Sequence, residues 1–210
     1  AYGIPVVPSD TVQSAADAVA AADRHGYPVA LKAAGGGLRH RIDLGAVRLD
    51  LGSAADVERA YRELSPFGTG VIVQPMVAPG VACVVEMVED PQFGPIVGFG
   101  LGGVAMELVG DRSWRAAPLT DLDAAALVDE PRGAPLLRGF RGAAPVDRAA
   151  LAELLVRVGR LVDDHPEIRS LSLNPVLARP DGFAVLHGSV QVGDPGERGD
   201  PGPRRLRGGA

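Results

Sequence analysis

The 210-residue chain is long enough for one ordinary hydrophobic core or for two small lobes, and 46% apolar residues describe a folding chain, not a disordered one. Its 26 acidic and 21 basic residues leave a net charge of -5, which offers no electrostatic footing for nucleic acid. One cysteine, Cys83, and four histidines exclude a disulfide framework and a cysteine-based zinc cluster, so the cytoplasm is the expected compartment, and no run approaches the 18 apolar residues of a membrane-spanning helix.

The chain opens on Ala1-Tyr2-Gly3-Ile4-Pro5, which lacks the character of a signal peptide and reads as a start internal to a longer polypeptide. Ser14, with Asp17 three positions on, predicts the cap of an alanine-rich helix running to about Arg24, ended by Gly26 in a left-handed conformation. Tyr27 to Lys32 reads as a strand, residues 35–41 as a flexible basic loop holding three consecutive glycines, and Ala46 to Leu51 as a half-buried strand of period two. Ser53 with Asp56 predicts a second helix to about Leu64, followed by an apolar strand from Val71 to Met76.

Strands dominate the next stretch. Val81 to Val88 and Ile96 to Leu101 flank the turn-rich Glu89-Asp90-Pro91-Gln92-Phe93-Gly94-Pro95, which predicts a hairpin. Val104 to Val109 reads as a further strand after a glycine bend, with Trp114 to Ala117 as its candidate partner. Thr120 with Asp123 caps a short helix through Val128, and Asp147 precedes an amphipathic helix to about Val162 with Leu151, Leu154, Leu155, Val158, Leu161 and Val162 on one face. Ile168 to Leu173, Val176 to Ala178 and Phe183 to Val192 return to strand. The order of elements predicts an α+β body of two lobes meeting near residues 74 to 80. These lobes are 1–75 and 76–193, followed by a disordered Gly/Pro-rich tail at 194–210.

Four positions carry candidate chemistry. Lys32 ends an apolar strand opposite the glycine-rich loop, a placement suited to phosphate, and equally to an exposed strand-end lysine. His40, between Arg39 and Arg41, has the character of a phosphoryl-accepting imidazole beside guanidinium groups, and equally of a solvated loop histidine. Glu107 is an acid inside an apolar run, so it faces water, a cation or a base. Asn174, just before Pro175, can offer a carbonyl oxygen to Mg²⁺ or close an ordinary turn. No P-loop pattern is present, which disfavours that class of nucleotidase.

Taken together, Tyr2-Gly3-Ile4-Pro5, Gly26-Tyr27-Pro28-Val29-Ala30-Leu31-Lys32, His40-Arg41-Ile42-Asp43-Leu44-Gly45-Ala46-Val47, Asp90 through Gly103, Ala117-Pro118-Leu119, Leu137-Arg138-Gly139-Phe140-Arg141-Gly142 and Leu173-Asn174-Pro175 resemble, in order over about residues 2 to 192, the ATP-grasp domain of NDP-forming (ADP-forming) acyl-CoA synthetases. The resemblance implies an ATP-grasp fold with a nucleotide cleft between its lobes, and ATP or ADP as ligand with Mg²⁺. It places CoA on another domain or subunit, and gives a phosphohistidine as carrier between the two chemistries. It implies phosphate contact by Lys32 and a place for His40 and Arg41 in the phosphoryl-relay loop. Gln74, Met76 and Val77 would line the adenine site, and Glu107 and Asn174 would face the phosphates and metal. Related regions also occur fused to a GNAT-type acetyltransferase domain, where they regulate protein-lysine acetylation.

Several positions depart from the family pattern. Ser172 stands where an acid is usual two residues before the asparagine, His187 where an aspartate is usual on the returning strand, and Ala82 where a glutamate is usual. Glu86 takes a place commonly held by glycine, and Arg41 and Ala46 replace a customary lysine and glycine. Loss of anionic metal ligands removes a large Coulomb attraction. The departures therefore predict a catalytically weakened, regulatory nucleotide-binding module, a pseudoenzyme that can form part of a protein-lysine acetyltransferase fusion. The alternatives are an active module of an ADP-forming acyl-CoA (acetyl-CoA) synthetase and a structural domain that binds no nucleotide.

Overall fold

The structure, a computed structural model, describes residues 1–35 and 45–194. His40, Arg41 and nearly all of the Gly/Pro-rich tail lie outside the described residues. By its internal contacts the chain divides into a smaller unit, Val6–Pro79, and a larger one made of Ala1–Pro5 with the chain from Gly80 onward.

In the smaller unit two serines start two helices by the same device. The Ser14 hydroxyl accepts from the Asp17 amide at 3.1 Å, and the Ser53 hydroxyl from the Asp56 amide at 3.2 Å, so each satisfies an amide that has no partner within its helix. The helices are α1, Ala15–His25, and α2, Ala54–Leu64. Gly26 ends α1 at φ 80 and ψ 141, a positive φ that only glycine adopts cheaply, though outside the left-handed helical region expected there. The inner face of α1 is Ala18, Ala21 and Ala22, and that of α2 is Val57, Ala60 and Leu64. Both faces pack on Val29, Leu31, Val71 and Val73. Those residues belong to a four-stranded antiparallel sheet of β1 (Asp10–Val12), β2 (Val29–Ala34), β3 (Val47–Leu51) and β4 (Gly70–Pro75), in the order β1-β4-β2-β3. The short β1 has no signal in the sequence, since three residues show no periodicity.

The larger unit is built on a second antiparallel sheet. It comprises β5 (Val81–Asp90), β6 (Gly94–Leu101), β7 (Arg112–Ala116), β8 (Ile168–Arg179), β9 (Gly182–Val185) and β10 (Gly188–Val192). The order is β10-β8-β5-β6-β7, with β9 also on β8. The expected hairpin is β5–β6, turned by the Asp90 carboxylate, which accepts the amides of Gln92 and Phe93. Helix α4, Asp121–Asp129, begins in a full capping box between Thr120 and Asp123. Helix α5, Arg148–Asp164, is capped by Asp147 and turns Leu151, Leu154, Leu155, Val158 and Val162 inward. These side chains meet Cys83, Val85, Met87, Val97, Phe99, Leu171 and Leu173 from one face of the sheet. Each such aliphatic or aromatic side chain contributes about 1.5–3 kcal/mol relative to exposure.

Two expectations about elements are corrected. Val104–Val109 is a short helix, α3, not a strand. Six apolar-rich residues fit either period, and the flanks decide: Gly110, left-handed at φ 66 and ψ 29, donates its amide to the Met106 carbonyl and closes a helical end. Burial does not favour a strand there, since Val104 and Leu108 are 80% and 88% exposed. The strand at Trp114 pairs with β6 instead, Gly98 opposite Trp114. The segments expected at 168–173 and 176–178 form one strand, β8, whose pairing with β5 shifts register in the Asn174 region. The mixed α+β class stands as expected, in two units each with its own sheet and core.

Candidate functional site

Lys32 lies in β2, beyond the buried Val29, Ala30 and Leu31. Its ammonium donates to the Gln74 side-chain carbonyl across the β2–β4 ladder at 2.7 Å. Burial holds the Lys32 ammonium below its ordinary pKa, because desolvation disfavours the charged form. Gln74 is 3% exposed, a polar side chain inside the core edge, and its amide nitrogen donates to the Val7 carbonyl at 3.2 Å. Both ends of the Gln74 carboxamide are therefore engaged inside the smaller unit: one end aims Lys32, the other is anchored by backbone. Met76 follows the end of β4 and donates its amide to the Pro28 carbonyl at 3.1 Å, and Met76 and Val77 are half-buried.

In the larger unit, alternation separates the core face of the sheet from an opposite face. On β8, Leu171 and Leu173 are buried in the core while Ser170, Ser172 and Asn174 are half-buried on the other side. Ser172 stands directly opposite Glu86 on β5, and Glu86 opposite Gly98 on β6. Gly98 is opposite Trp114 on β7, and a side chain at Gly98 would meet the indole ring at 2.6 Å. Gly100 likewise leaves room for Arg112, whose Cδ would lie 2.7 Å from an added Cβ. The Arg112 guanidinium donates to the Leu101 carbonyl at 3.0 Å, and its Nε lies 3.5 Å from the Glu86 carboxylate. The strip across four strands thus holds a hydroxyl, a carboxylate, two glycines, an indole and a guanidinium.

Asn174 donates its backbone amide to the His187 carbonyl at 3.0 Å, and His187 lies between β9 and β10, which divide the single strand expected from Phe183 to Val192. Glu107 sits on α3 and so does not alternate along a strand with Met106 and Leu108. Among the described residues no three His, Cys, Asp or Glu side chains converge as a metal cage. Mg²⁺ commonly takes only one or two protein carboxylates and completes its shell of about six oxygens with phosphate and water, and the Glu86 carboxylate on this face is paired with Arg112. Sequence reasoning missed Glu86 and Arg112 as site groups. The available signal was parity: Glu86 alternates with Cys83, Val85 and Met87 and is an acid inside an apolar strand.

Comparison with known proteins fits this architecture. Residues 1–192 match the family described as ATP-grasp domain. The chain is 40% identical over 203 residues to acetate–CoA ligase (ADP-forming) I of Archaeoglobus fulgidus, covering 92% of this chain and 30% of that protein. It is 36% identical over 189 residues to the beta subunit of acetate–CoA ligase (ADP-forming) I of Pyrococcus furiosus, covering 86% of this chain and 82% of that subunit. The dinucleotide-forming acetyl-coenzyme A synthetase 1 of Ca. Korarchaeum cryptofilum, in complex with coenzyme A and Ca-AMPCP, superposes with a TM-score of 0.85 at 40% identity, over 91% of this chain and 87% of that one. With coenzyme A and Mg-AMPPCP, that synthetase has its phosphohistidine segment pointing towards the nucleotide binding site, and the TM-score is 0.79 at 40% identity over 91% of this chain and 86% of that one.

These matches correct the expectation of a weakened, regulatory module. The proteins matched over most of this chain are ligases and a synthetase, one of them holding coenzyme A and a nucleotide analogue with its phosphohistidine segment pointing towards the nucleotide binding site. The several departures, Ser172 and His187 among them, do not by themselves establish lost function, because Mg²⁺ draws most of its six oxygen ligands from phosphate and water. None of these relatives is named as an acetyltransferase. The chain belongs to the ATP-grasp domains of the ADP-forming acyl-CoA synthetase family.

Proposed function

We propose that this chain is an active ATP-grasp module of an ADP-forming acyl-CoA synthetase, exchanging a phosphoryl group between ATP or ADP and a histidine presented by a CoA-binding domain or subunit. The observation that carries this is the Lys32–Gln74 pair: a desolvated ammonium held at 2.7 Å by a buried amide is already oriented for an anionic ligand. Its desolvation is offset when phosphate oxygens arrive. The likeness to a synthetase holding Mg-AMPPCP, coenzyme A and a phosphohistidine segment supports the same reading.

In this proposal Lys32 neutralises charge on the transferring phosphoryl group and Gln74 keeps its ammonium in place. Met76 and Val77 border the base, and Asn174 and Glu107 serve the metal side. Mg²⁺, when bound, offsets phosphate charge. His40 and Arg41 belong to the relay: an imidazole nitrogen bonds to phosphorus as the bond to the ADP oxygen breaks, and the adjacent guanidinium stabilises the charge that develops. The chain spans 30% of the A. fulgidus ligase, so CoA binding and acyl chemistry fall to other parts of such a protein. No helix of the described residues is long and apolar enough to cross a membrane, and nucleotide-linked chemistry with one cysteine fits the cytoplasm. No observation favours a GNAT partner.

The test is ATP formation from ADP, phosphate and acetyl-CoA by the full-length protein, or by this chain with its CoA-binding partner. Lys32→Met should lower kcat/KM by about 10- to 100-fold. Turnover undiminished by that change would overturn the assignment.

A further inference from the structure

We infer that the loop between α4 and α5, with Phe140 and Arg141 at its tip, is a docking point for an acidic segment of the CoA-binding part of the synthetase. The inference rests on the synthetase reading above and deepens it by naming a surface through which the two parts meet.

The loop is built as a fixed projection. Leu137 and Val146 are buried at its two ends, and the Val146 amide donates to the Leu137 carbonyl at 3.0 Å, which closes the base. Residues 140–145 between them are all exposed. At the tip the Ala143 amide donates to the Phe140 carbonyl at 3.3 Å. Gly139, at φ 91, passes so near the Ala143 carbonyl that an added Cβ would lie 2.5 Å from its oxygen.

Arg141 occupies the left-handed region at φ 54 and ψ 38, and with Asp50 it is one of the two non-glycine residues of positive φ among the described residues. Glycine takes that conformation without strain, whereas an L side chain crowds its own backbone there. Local folding alone therefore favours glycine at this position, as it does at Gly139 and Gly142. The Arg141 guanidinium instead packs over the Phe140 ring, 5.3 Å from its centroid, and Phe140 is 51% exposed. Neither side chain adds to the core, so the strain is retained for a pair that faces outward.

Charge sets the kind of partner. Asp129 is shared by Arg138 at 3.3 Å and Arg148 at 2.6 Å, and the Asp147 carboxylate is turned to the α5 cap. Arg141 lies beside these groups in sequence and pairs with no carboxylate among the described residues. The result is a cationic patch on a chain of net charge -5, with an aromatic ring at its tip. Arginine and aromatic side chains are enriched at protein–protein interfaces, and this pair fits a carboxylate next to an apolar contact. The relatives supply the occupant. The matched protein of P. furiosus is a beta subunit, whereas this chain spans only 30% of the A. fulgidus ligase. The same module therefore serves both joined to the remaining chemistry and apart from it, and a non-covalent contact has to hold the parts together when they are separate.

The experiment is photo-cross-linking of the full-length synthetase, or of this chain assembled with its CoA-binding subunit, carrying Phe140→p-benzoylphenylalanine, with the product located by mass spectrometry. The cross-link should fall in the CoA-binding part, in a stretch bearing Asp or Glu. In the same protein Arg141→Gly should lower kcat for ATP formation about tenfold, with ADP affinity by calorimetry unchanged and melting temperature not lowered, a combination that a purely structural arginine would not produce. Cross-linking confined to the ATP-grasp chain, or reaching the CoA-binding part at a stretch without acidic residues, would overturn the inference. So would Arg141→Gly turning over at the wild-type rate. A wild type that cross-links as expected yet forms no ATP would overturn the synthetase reading and keep the docking assignment.

Discussion

In the smaller unit the chemically important cation is enclosed: Lys32 is half-buried, its ammonium meets a buried amide, and that amide is tied to the Val7 backbone. In the larger unit the polar groups lie spread over one face of a sheet, where Glu86 and Arg112 are partly exposed and pair at 3.5 Å. The two cores differ in parallel. Alanines and valines under α1 and α2 fill the smaller one, while Phe99 and the leucines of α5 fill the larger. The contrast separates two ways of holding charge. An enclosed group is set by desolvation, so replacing it changes both binding and folding. An open-face group is screened by water, so replacing it changes binding and leaves the core alone.

The largest expected effect breaks the larger core beneath its open face. Phe99→Ala, at a fully buried position packed against α4 and α5, should cost about 3–5 kcal/mol in urea denaturation. A loss below about 1 kcal/mol would mean that the sheet is not packed as described.

The enclosed pair comes next. Gln74→Leu removes the acceptor of the Lys32 ammonium and the donor to Val7, and should cost about 1.5–3 kcal/mol while weakening ADP binding. The pH dependence sharpens the point. Burial lowers the folded-state pKa of Lys32, so between that lowered value and the ordinary 10.5 the unfolded chain binds more protons. Wild-type stability should therefore gain a contribution as pH rises through this window, and Lys32→Met should lack it. Equal slopes in the two proteins would place Lys32 in solvent instead.

The smallest effect tests local structure at a helix start. Thr120→Ala removes the hydroxyl of the α4 capping box and should cost about 1 kcal/mol, with ADP affinity unchanged. A change in ADP affinity would show that α4 communicates with the nucleotide groups.

Local physics carried much of the fold. The serines and Thr120 announced three helix starts, Asp147 a fourth, and alternation with a turn-rich break announced the β5–β6 hairpin, because capping and periodicity act over a few residues. Lys32 and Asn174 were legible as candidates because each ends or interrupts an apolar run. The helix at Val104–Val109 was not, since six residues satisfy two periods at once and only the folded flanks choose between them. The Lys32–Gln74 contact joins residues 42 apart in sequence, and the Glu86–Ser172 row depends on a ladder between strands far apart in the chain. Thus the residues by themselves determined the class, most elements and the family, since those follow from composition, spacing and ordered motifs. Only the tertiary structure decided that an acid on β5 faces the serine before Asn174, because strand register is set by packing and pairing of the whole sheet.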